Sequence, residues 1–422
     1  MTTEMKRRRI ALFALFLIPG LGIASWVTRT PAIRDLVGAS TAQMGLILLG
    51  LSAGSMAGIL SSGALVARFG ARPVILAGAM GVVASMPVIG VGAMTGQALV
   101  VGLGLLIFGA GMGGGEIAMN VEGGQVEAET GRTYLAYLHG FFSLGTVLGA
   151  VAGMVFTAIG FSVVAHLLLV GVVALAVALL AIRHLPEATG RTRIPGAAGV
   201  PEASQQHPET SSSGASSRGA GRTRVWSDPR LLLVGGIVLA MALAEGTAND
   251  WLPLVMVDGH GLDAALGSAV YAVFAVSMTL GRFVGGSSVT RFGHARVLAA
   301  SAVLGALGIG LVSLVDHQGV AVAAVVLWGL GASLGFPVAI SAAGAGGPDQ
   351  SARIAVVSTI GYLAFLVGPP VLGFAGEAVG LRGALLIPMV LVLLSALLTP
   401  AARPRALEHQ DDGPVRTLSR TG

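Results

Sequence analysis

Twelve apolar stretches, near 10–28, 43–67, 73–94, 97–119, 134–158, 162–182, 231–252, 266–289, 297–315, 319–341, 355–376 and 383–400, run the length of this chain. About 20 such residues suffice for a helix to cross the hydrocarbon of a bilayer. Backbone N–H and C=O groups find no water there, so each stretch must satisfy them internally. The expected fold is therefore an all-α integral membrane protein with twelve transmembrane helices. Composition points the same way: 54% of residues are hydrophobic and only 11% charged. A soluble domain carries about 25% charged residues to cover its surface. The 64 glycines suit helices that approach closely in lipid. The first stretch follows MKRRR and could pass for a signal peptide. It lacks a small-x-small cleavage site and eleven similar stretches follow, so it counts as the first span.

Basic residues set an orientation. With the N-terminus inside and the spans alternating, 21 Lys and Arg fall inside, only Arg29, Arg34 and Arg382 fall outside, and Arg282 lies within a span. That is the asymmetry of the positive-inside rule. Both termini are then cytoplasmic, and the expected location is a bacterial cytoplasmic (inner) membrane. Residues 184–229 interrupt the apolar rhythm with HPETSSSGASSRGAGRTR. This Ser/Gly/Arg-rich composition is that of a flexible linker. The expected organisation is a six-helix bundle over 1–183, a cytoplasmic linker over 184–229, a second six-helix bundle over 230–400 and a cytoplasmic tail over 401–422. The net charge of +5 is scattered between spans and forms no face for nucleic acid.

The two halves look like copies. GALVARFGARPVI (63–75) and GSSVTRFGHARVL (286–298) agree at six of thirteen positions. YLAYLHGFFSLG (134–145) and YLAFLVGPPVLG (362–373) agree at seven of twelve. The matches lie 223 and 228 residues apart and pair span 2 with span 8 and span 5 with span 11. Two pseudo-symmetric six-helix bundles imply a transporter whose central cleft opens to either side in turn. The RFG loops then sit at the cytoplasmic ends of spans 2 and 8. Arg68, Arg72 and Arg291 are candidates for holding that side closed, or serve only to fix topology. Gly63, Gly70, Gly286 and Gly293 allow tight turns and close helix approach.

GALVARFGARPVI resembles the loop 2–3 signature G-x-L-x-D-R-x-G-R-K of the major facilitator superfamily, with Gly63, Leu65, Arg68, Gly70 and Arg72 at family positions. The aspartate of that signature is replaced by Ala67, and by Thr290 in the second copy. The resemblance thus implies a missing carboxylate in both loops. SWVTRTPAIR (25–34), HGFFSLG (139–145), EGTANDW (245–251), GRFVGG (281–286) and GYLAFLVGPPVLGFAGEAVGLR (361–382) are similar to a bacterial branch containing the inner-membrane protein YbjJ and the rhizopine-locus membrane protein MosC. That resemblance implies transport, and its rhizopine link implies an inositol-like, polyol or sugar solute.

Polar groups inside hydrocarbon are costly and mark functional positions by default. Glu245 in span 7 has only Gly and Leu near its matching position. Asn249 follows it at i+4, on the same face, whereas Asp250 points elsewhere, toward the outer surface. Glu116 in span 4, with Asn120 one turn on, is the rival carboxyl, or an interfacial acid paired with Arg132 or Arg68. His139 in span 5 can relay a proton or bond a helix backbone. Arg282 in span 8 can snorkel or meet an acid or anionic solute across the cleft. Trp26 and Arg29 form a cleft rim or an interfacial belt, and Trp328 stacks on a solute or packs between helices. Pro337, Pro369 and Pro370 interrupt spans 10 and 11 and mark possible gating bends. GGQVEAETGR (123–132) reads as a short loop between spans 4 and 5. There is no Cys, and no His lies at metal-ligand spacing to another, so no metal site and no cofactor are expected.

The sequence carries no GxxxxGK[ST] phosphate loop, so transport must draw on a gradient. The expected function is secondary transport of a small polyol- or sugar-like solute coupled to protons, by a monomer with membrane lipids around it. Proton-driven efflux of a metabolite or drug-like compound is the alternative; a membrane enzyme or a non-transporting sensor fits less well. The topology has a direct test, because a single cysteine can be placed in a chain that has none. Ser213→Cys should resist an impermeant maleimide on intact cells and react once the membrane is opened. Labelling from outside would invert the orientation.

Overall fold

The computed structural model describes residues 2–131, 134–191, 226–345 and 349–403. Most of the 184–229 linker, Arg132 and the tail beyond 403 lie outside the described residues. The secondary structure described is helical. Seven helices come first: α1 (Thr3–Val27), the short α2 (Thr30–Val37), α3 (Thr41–Phe69), α4 (Ala71–Met94), α5 (Ala98–Thr130), α6 (Leu135–Ala158) and α7 (Val163–Ile182). Six follow: α8 (Pro229–Leu254), α9 (Ala264–Phe292), α10 (His294–Leu314), α11 (Gln318–Ala345), α12 (Gln350–Ala384) and α13 (Leu386–Leu398). A π turn, Val255–Gly259, closes α8.

Eleven of the described helices are long and apolar enough to cross a membrane. The twelfth apolar segment is the shorter Leu386–Ala402. It begins just past a kink at Gly380, whose φ of 78° breaks α12. Glycine occupies that left-handed conformation without the strain a Cβ would bring. The same reason places Gly70 (φ 89°) and Gly293 (φ 80°) at the ends of α3 and α9. Each donates its N–H to a valine carbonyl four residues back, Val66 and Val289. Arg68 stacks over Phe69 and Arg291 over Phe292, with the guanidinium 5.1 and 5.2 Å from the ring centre. The two RFG turns therefore share one conformation as well as one sequence.

Packing repeats the pattern. In the first half α3 and α4 pack on α5, α1 packs on α6, and α7 packs on α4 and α1. In the second half α9 and α10 pack on α11, α8 packs on α12, and α13 packs on α10 and α8. Each pairing has its counterpart. Glycine makes many of these contacts possible: a Cβ on Gly54 would lie 2.1 Å from the Leu106 carbonyl, and one on Gly109 2.0 Å from that of Leu51. Gly63 and Gly286 do not serve this way, because a Cβ at either would meet nothing within 4 Å. The close approach expected of that pair does not occur.

GGQVEAETGR is not a loop. Residues up to Thr130 continue α5 as one 33-residue helix, which outruns the bilayer core. Its acids have local work. Arg8 on α1 donates to Glu122 at 2.6 Å and to Glu129 at 2.8 Å. Glu127 accepts the N–H groups of Tyr134 and Leu135, the latter at 2.9 Å, and so caps α6. Arg9 lies over the Tyr134 ring at 4.0 Å. Glu122 is fully buried and Arg8 nearly so.

Removing one partner of a buried pair costs about 3–5 kcal/mol, because it strands the other charge. Arg8→Ala should therefore lower the unfolding temperature of the purified protein sharply. Arg7→Ala, at an exposed neighbour, should not. Equal unfolding temperatures for the two variants would show that the Arg8 cluster does not hold α1 to α5.

Candidate functional site

The halves meet along two helix pairs, α3 with α12 and α6 with α9. At the end carrying Arg34 they are fastened by polar contacts. Arg34 ion-pairs with Asp258. The Ser268 hydroxyl donates to the Thr28 carbonyl at 2.8 Å, and the Ala42 N–H donates to Glu377 at 3.1 Å. Gly45 fits α3 against α12 there, since a Cβ would lie 2.8 Å from the Pro369 carbonyl. At the opposite end Arg68 and Arg291 are exposed, and no ion pair among the described residues joins the halves. Arg72 pairs within its own half, with Glu187 at 2.9 Å. The structure is thus fastened at the Arg34 end and unfastened at the Arg68 end.

Between these ends lies a charged cluster. Arg282 on α9 donates to Glu245 on α8 at 2.9 Å. Their side chains are 30% and 15% exposed, so the pair borders open space instead of being sealed in packing. Glu116, on α5 of the other half, lies within electrostatic reach of both charges. His139 on α6 lies within reach of Arg282 and meets the Phe16 ring edge-on at 5.5 Å. Tyr362 on α12 lies within reach of Glu116. Tyr271 on α9 donates to Asn249 Oδ1 at 3.1 Å.

Five residues singled out from sequence therefore gather in one place: Glu245, Glu116, His139, Arg282 and Asn249. They come from four helices and both halves. Glu116 faces this cluster and not Arg68. Asn120 stands one turn further along α5, and its Oδ1 is buried without a partner. Tyr271, Tyr362 and Asp250 were not singled out. The two tyrosines sit in apolar runs where they read as packing. Asp250, read from sequence as pointing away from Glu245 and nearer the outer surface, is buried, 7% exposed.

Other candidates lie apart from the cluster. Trp328 is fully buried, donates to the Ala244 carbonyl at 3.1 Å and meets Phe274 edge-on. It is a packing residue in this arrangement. Trp26 is also buried, so it is neither a belt anchor nor an exposed rim. Arg29 donates to His166 Nδ1 at 3.1 Å and to the Phe161 carbonyl at 2.9 Å, tying α1 to α7.

A family model described as Major Facilitator Superfamily matches residues 125–350 and 269–416. The chain is 30% identical over 394 residues to an uncharacterized MFS-type transporter of Yersinia pestis, covering 93% of this chain and 94% of the relative. It is 26% identical to the membrane protein MosC of Rhizobium meliloti, covering 88% of this chain and 84% of that one. Among solved structures, a D-xylose-proton symporter superposes with a TM-score of 0.73 at 13% identity, covering 95% of this chain and 98% of the other.

The Arg34–Asp258 pair is partly exposed, with side chains at 17% and 32%. Such pairs contribute about 0.2–1 kcal/mol. Asp258→Ala should therefore shift the balance toward opening at the Arg34 end by up to about fivefold. Spin labels on cysteines at Leu36 and Leu266, both exposed, would report the longer distance. An unchanged distance distribution would show that the pair does not bias the gate.

Proposed function

Because the chain belongs to the major facilitator superfamily, we propose that it is a secondary transporter moving a small solute across a bacterial membrane with proton coupling. The observation that carries this reading is the Glu245–Arg282 pair with Glu116 facing it from the other half. A carboxyl that gains a proton releases its arginine. Protonation of Glu245 therefore changes the charge balance between α5, α8 and α9 and alters how the halves attract each other. Coupling needs only that one step. A proton or a solute arriving at the cluster changes the relative stability of the two ends' closures.

The halves 1–183 and 230–400 are the moving units in this reading, with the 184–229 linker and both termini on the cytoplasmic side. The Arg34 end is then external, and the structure faces inward. Arg68 and Arg291 close the cytoplasmic end in the opposite state, as exposed cations on matching turns. The solute is polyol- or sugar-like, which is supported by the resemblance to the YbjJ and MosC branch. Asn120, Asn249 and Tyr362 offer amide and hydroxyl groups of the kind that pair with sugar hydroxyls.

The test is a solute screen in proteoliposomes with an imposed pH gradient, read by internal pH. For the solute that scores, Glu245→Gln keeps size and hydrogen bonding but removes titration. It should reduce pH-driven accumulation to the passive level while solute exchange survives. Glu116→Gln is the comparison. Full accumulation by E245Q at unchanged stoichiometry would move the coupling role to Glu116 or His139.

A further inference from the structure

Asp250 is the one carboxylate of α8 that the cluster above does not use. Its residue is 7% exposed, and no hydrogen bond or ion pair reaches it among the described residues. An unpartnered buried carboxylate is expensive in hydrocarbon, so its presence needs a reason. The duplication shows that the scaffold does not supply one. Trp26 and Trp251 lie 225 positions apart, between the two separations already found. In this register GLGIASW (20–26) faces EGTANDW (245–251), and Asp250 matches Ser25. Ser25 satisfies itself by donating its hydroxyl to the Leu21 carbonyl at 2.7 Å. An ionised carboxylate has no hydrogen to donate in this way, whereas a protonated one does.

The surroundings of Asp250 place it on a route. Tyr271 lies within electrostatic reach of both Asp250 and Glu245, and its hydroxyl already bonds Asn249, between them in sequence. Among the described residues Tyr271 is the titratable group that faces Asp250, and no oppositely charged side chain pairs with it. Glu245 in turn faces Arg282, Glu116 and Tyr271. Ser268, three residues before Tyr271 on the same helix, makes the contact with Thr28 that fastens the Arg34 end. Asp250 and Tyr271 therefore lie just behind that closure, and parting it uncovers them first.

We infer that Asp250 is a second proton-carrying carboxyl of the transport site, filled from the Arg34 end and exchanging with Glu245 by way of Tyr271. This rests on the reading that Glu245 carries the coupling proton. With the Arg34 end open, one proton passes from water to the Asp250 carboxylate. With that end closed, the Tyr271 hydroxyl turns from Asn249 to Glu245, and Asp250 gives its proton to the Tyr271 oxygen as the hydroxyl gives its own to the Glu245 carboxylate. The tyrosine ends neutral, Asp250 ends ionised, Glu245 ends neutral and Arg282 is released. The proton leaves Glu245 to water at the Arg68 end.

The test needs no solute. Infrared difference spectra of the purified protein in lipid, stepped in pH, read the carbonyl stretch of protonated carboxyl groups. Slow exchange into deuterium oxide separates buried from exposed ones. Among the carboxyl bands of the wild type, Asp250→Asn should remove one slowly exchanging band and Glu245→Gln a different one, with the bands of Glu116 and Glu122 unchanged. Asp250→Glu should keep its band at a shifted frequency, which carries the test if D250N fails to fold. D250N or D250E spectra that superimpose on the wild type overturn the second site and leave the Glu245 reading standing. Full pH-driven accumulation by E245Q in the proteoliposome assay, beside an intact Asp250 band, overturns the Glu245 reading and the exchange with it.

Discussion

Hydrocarbon offers helices no partner for their backbone and no hydrophobic reason to associate, and both facts shape this molecule. The first makes every span a helix. The second leaves close packing as the force that holds spans together. Glycine supplies it within each half. A Cβ on Gly20 would lie 2.1 Å from the Phe142 carbonyl, and one on Gly145 2.3 Å from that of Leu17, so α1 and α6 touch backbone to backbone. Similar contacts join α3 to α5 at Gly50, Gly54 and Gly58. These pairs cannot slide or separate without losing the whole contact. Between the halves the fit is different. Gly45 and Gly373 bring α3 and α12 together near the Arg34 end, but Gly140 on α6 meets only the Phe283 ring at 3.6 Å. Stiffness inside each half and a looser seam between them are what a rocking transporter requires.

The charged cluster depends on that contrast. Glu245 and Arg282 are held by α8 and α9 of one half, and Glu116 and His139 by α5 and α6 of the other. Each set is fixed by its own glycine-packed helices, so the distance between the sets is a function of how the halves sit. A charge change at Glu245 then acts on the seam and not on local packing. At the Arg34 end the Arg34–Asp258 pair is partly exposed, in contrast to the buried Arg8–Glu122 pair that stabilises a single half, while the Ser268–Thr28 bond between the halves is buried.

The spans, the duplication and most of the cluster were legible in the sequence, because hydrocarbon punishes polar residues enough to make each one visible. Glu245, Glu116, Arg282, His139 and Asn249 stood out against apolar neighbours and do converge. What was not legible follows from the same rule. Tyr271 and Tyr362 carry a hydroxyl on a ring that passes as apolar. The helical continuation of α5 to Thr130 was hidden, since residues beyond the bilayer are polar whether helical or not. Arg8 was read as one of several topology charges, because its partner Glu122 is over a hundred residues away. Trp26, Arg29 and Trp328 were visible, but only the fold shows that their polar atoms face protein or nothing.

The duplication also explains where chemistry was free to arise. Gly20 matches Glu245 in the register that Trp26 and Trp251 fix, and Gly20 cannot carry a side chain because α6 lies against it. The first half therefore spends this turn of its helix on packing. In the second half Glu245 and Asn249 of the same turn border open space, while Asp250 is buried on another face. The matching position in α9 for the Ile59 of α3 is Arg282, so the acid's partner also appears only in the second copy. On the proposed reading, one copy is the tighter scaffold and the other carries the coupling acid. The single acid contributed by the first half, Glu116, lies on α5, whose glycines pack on α3 and α4, and it stands within electrostatic reach of Arg282 and Glu245. On the proposed coupling, a proton arriving at Glu245 is felt across the seam by Glu116, which ties titration in one half to its position against the other.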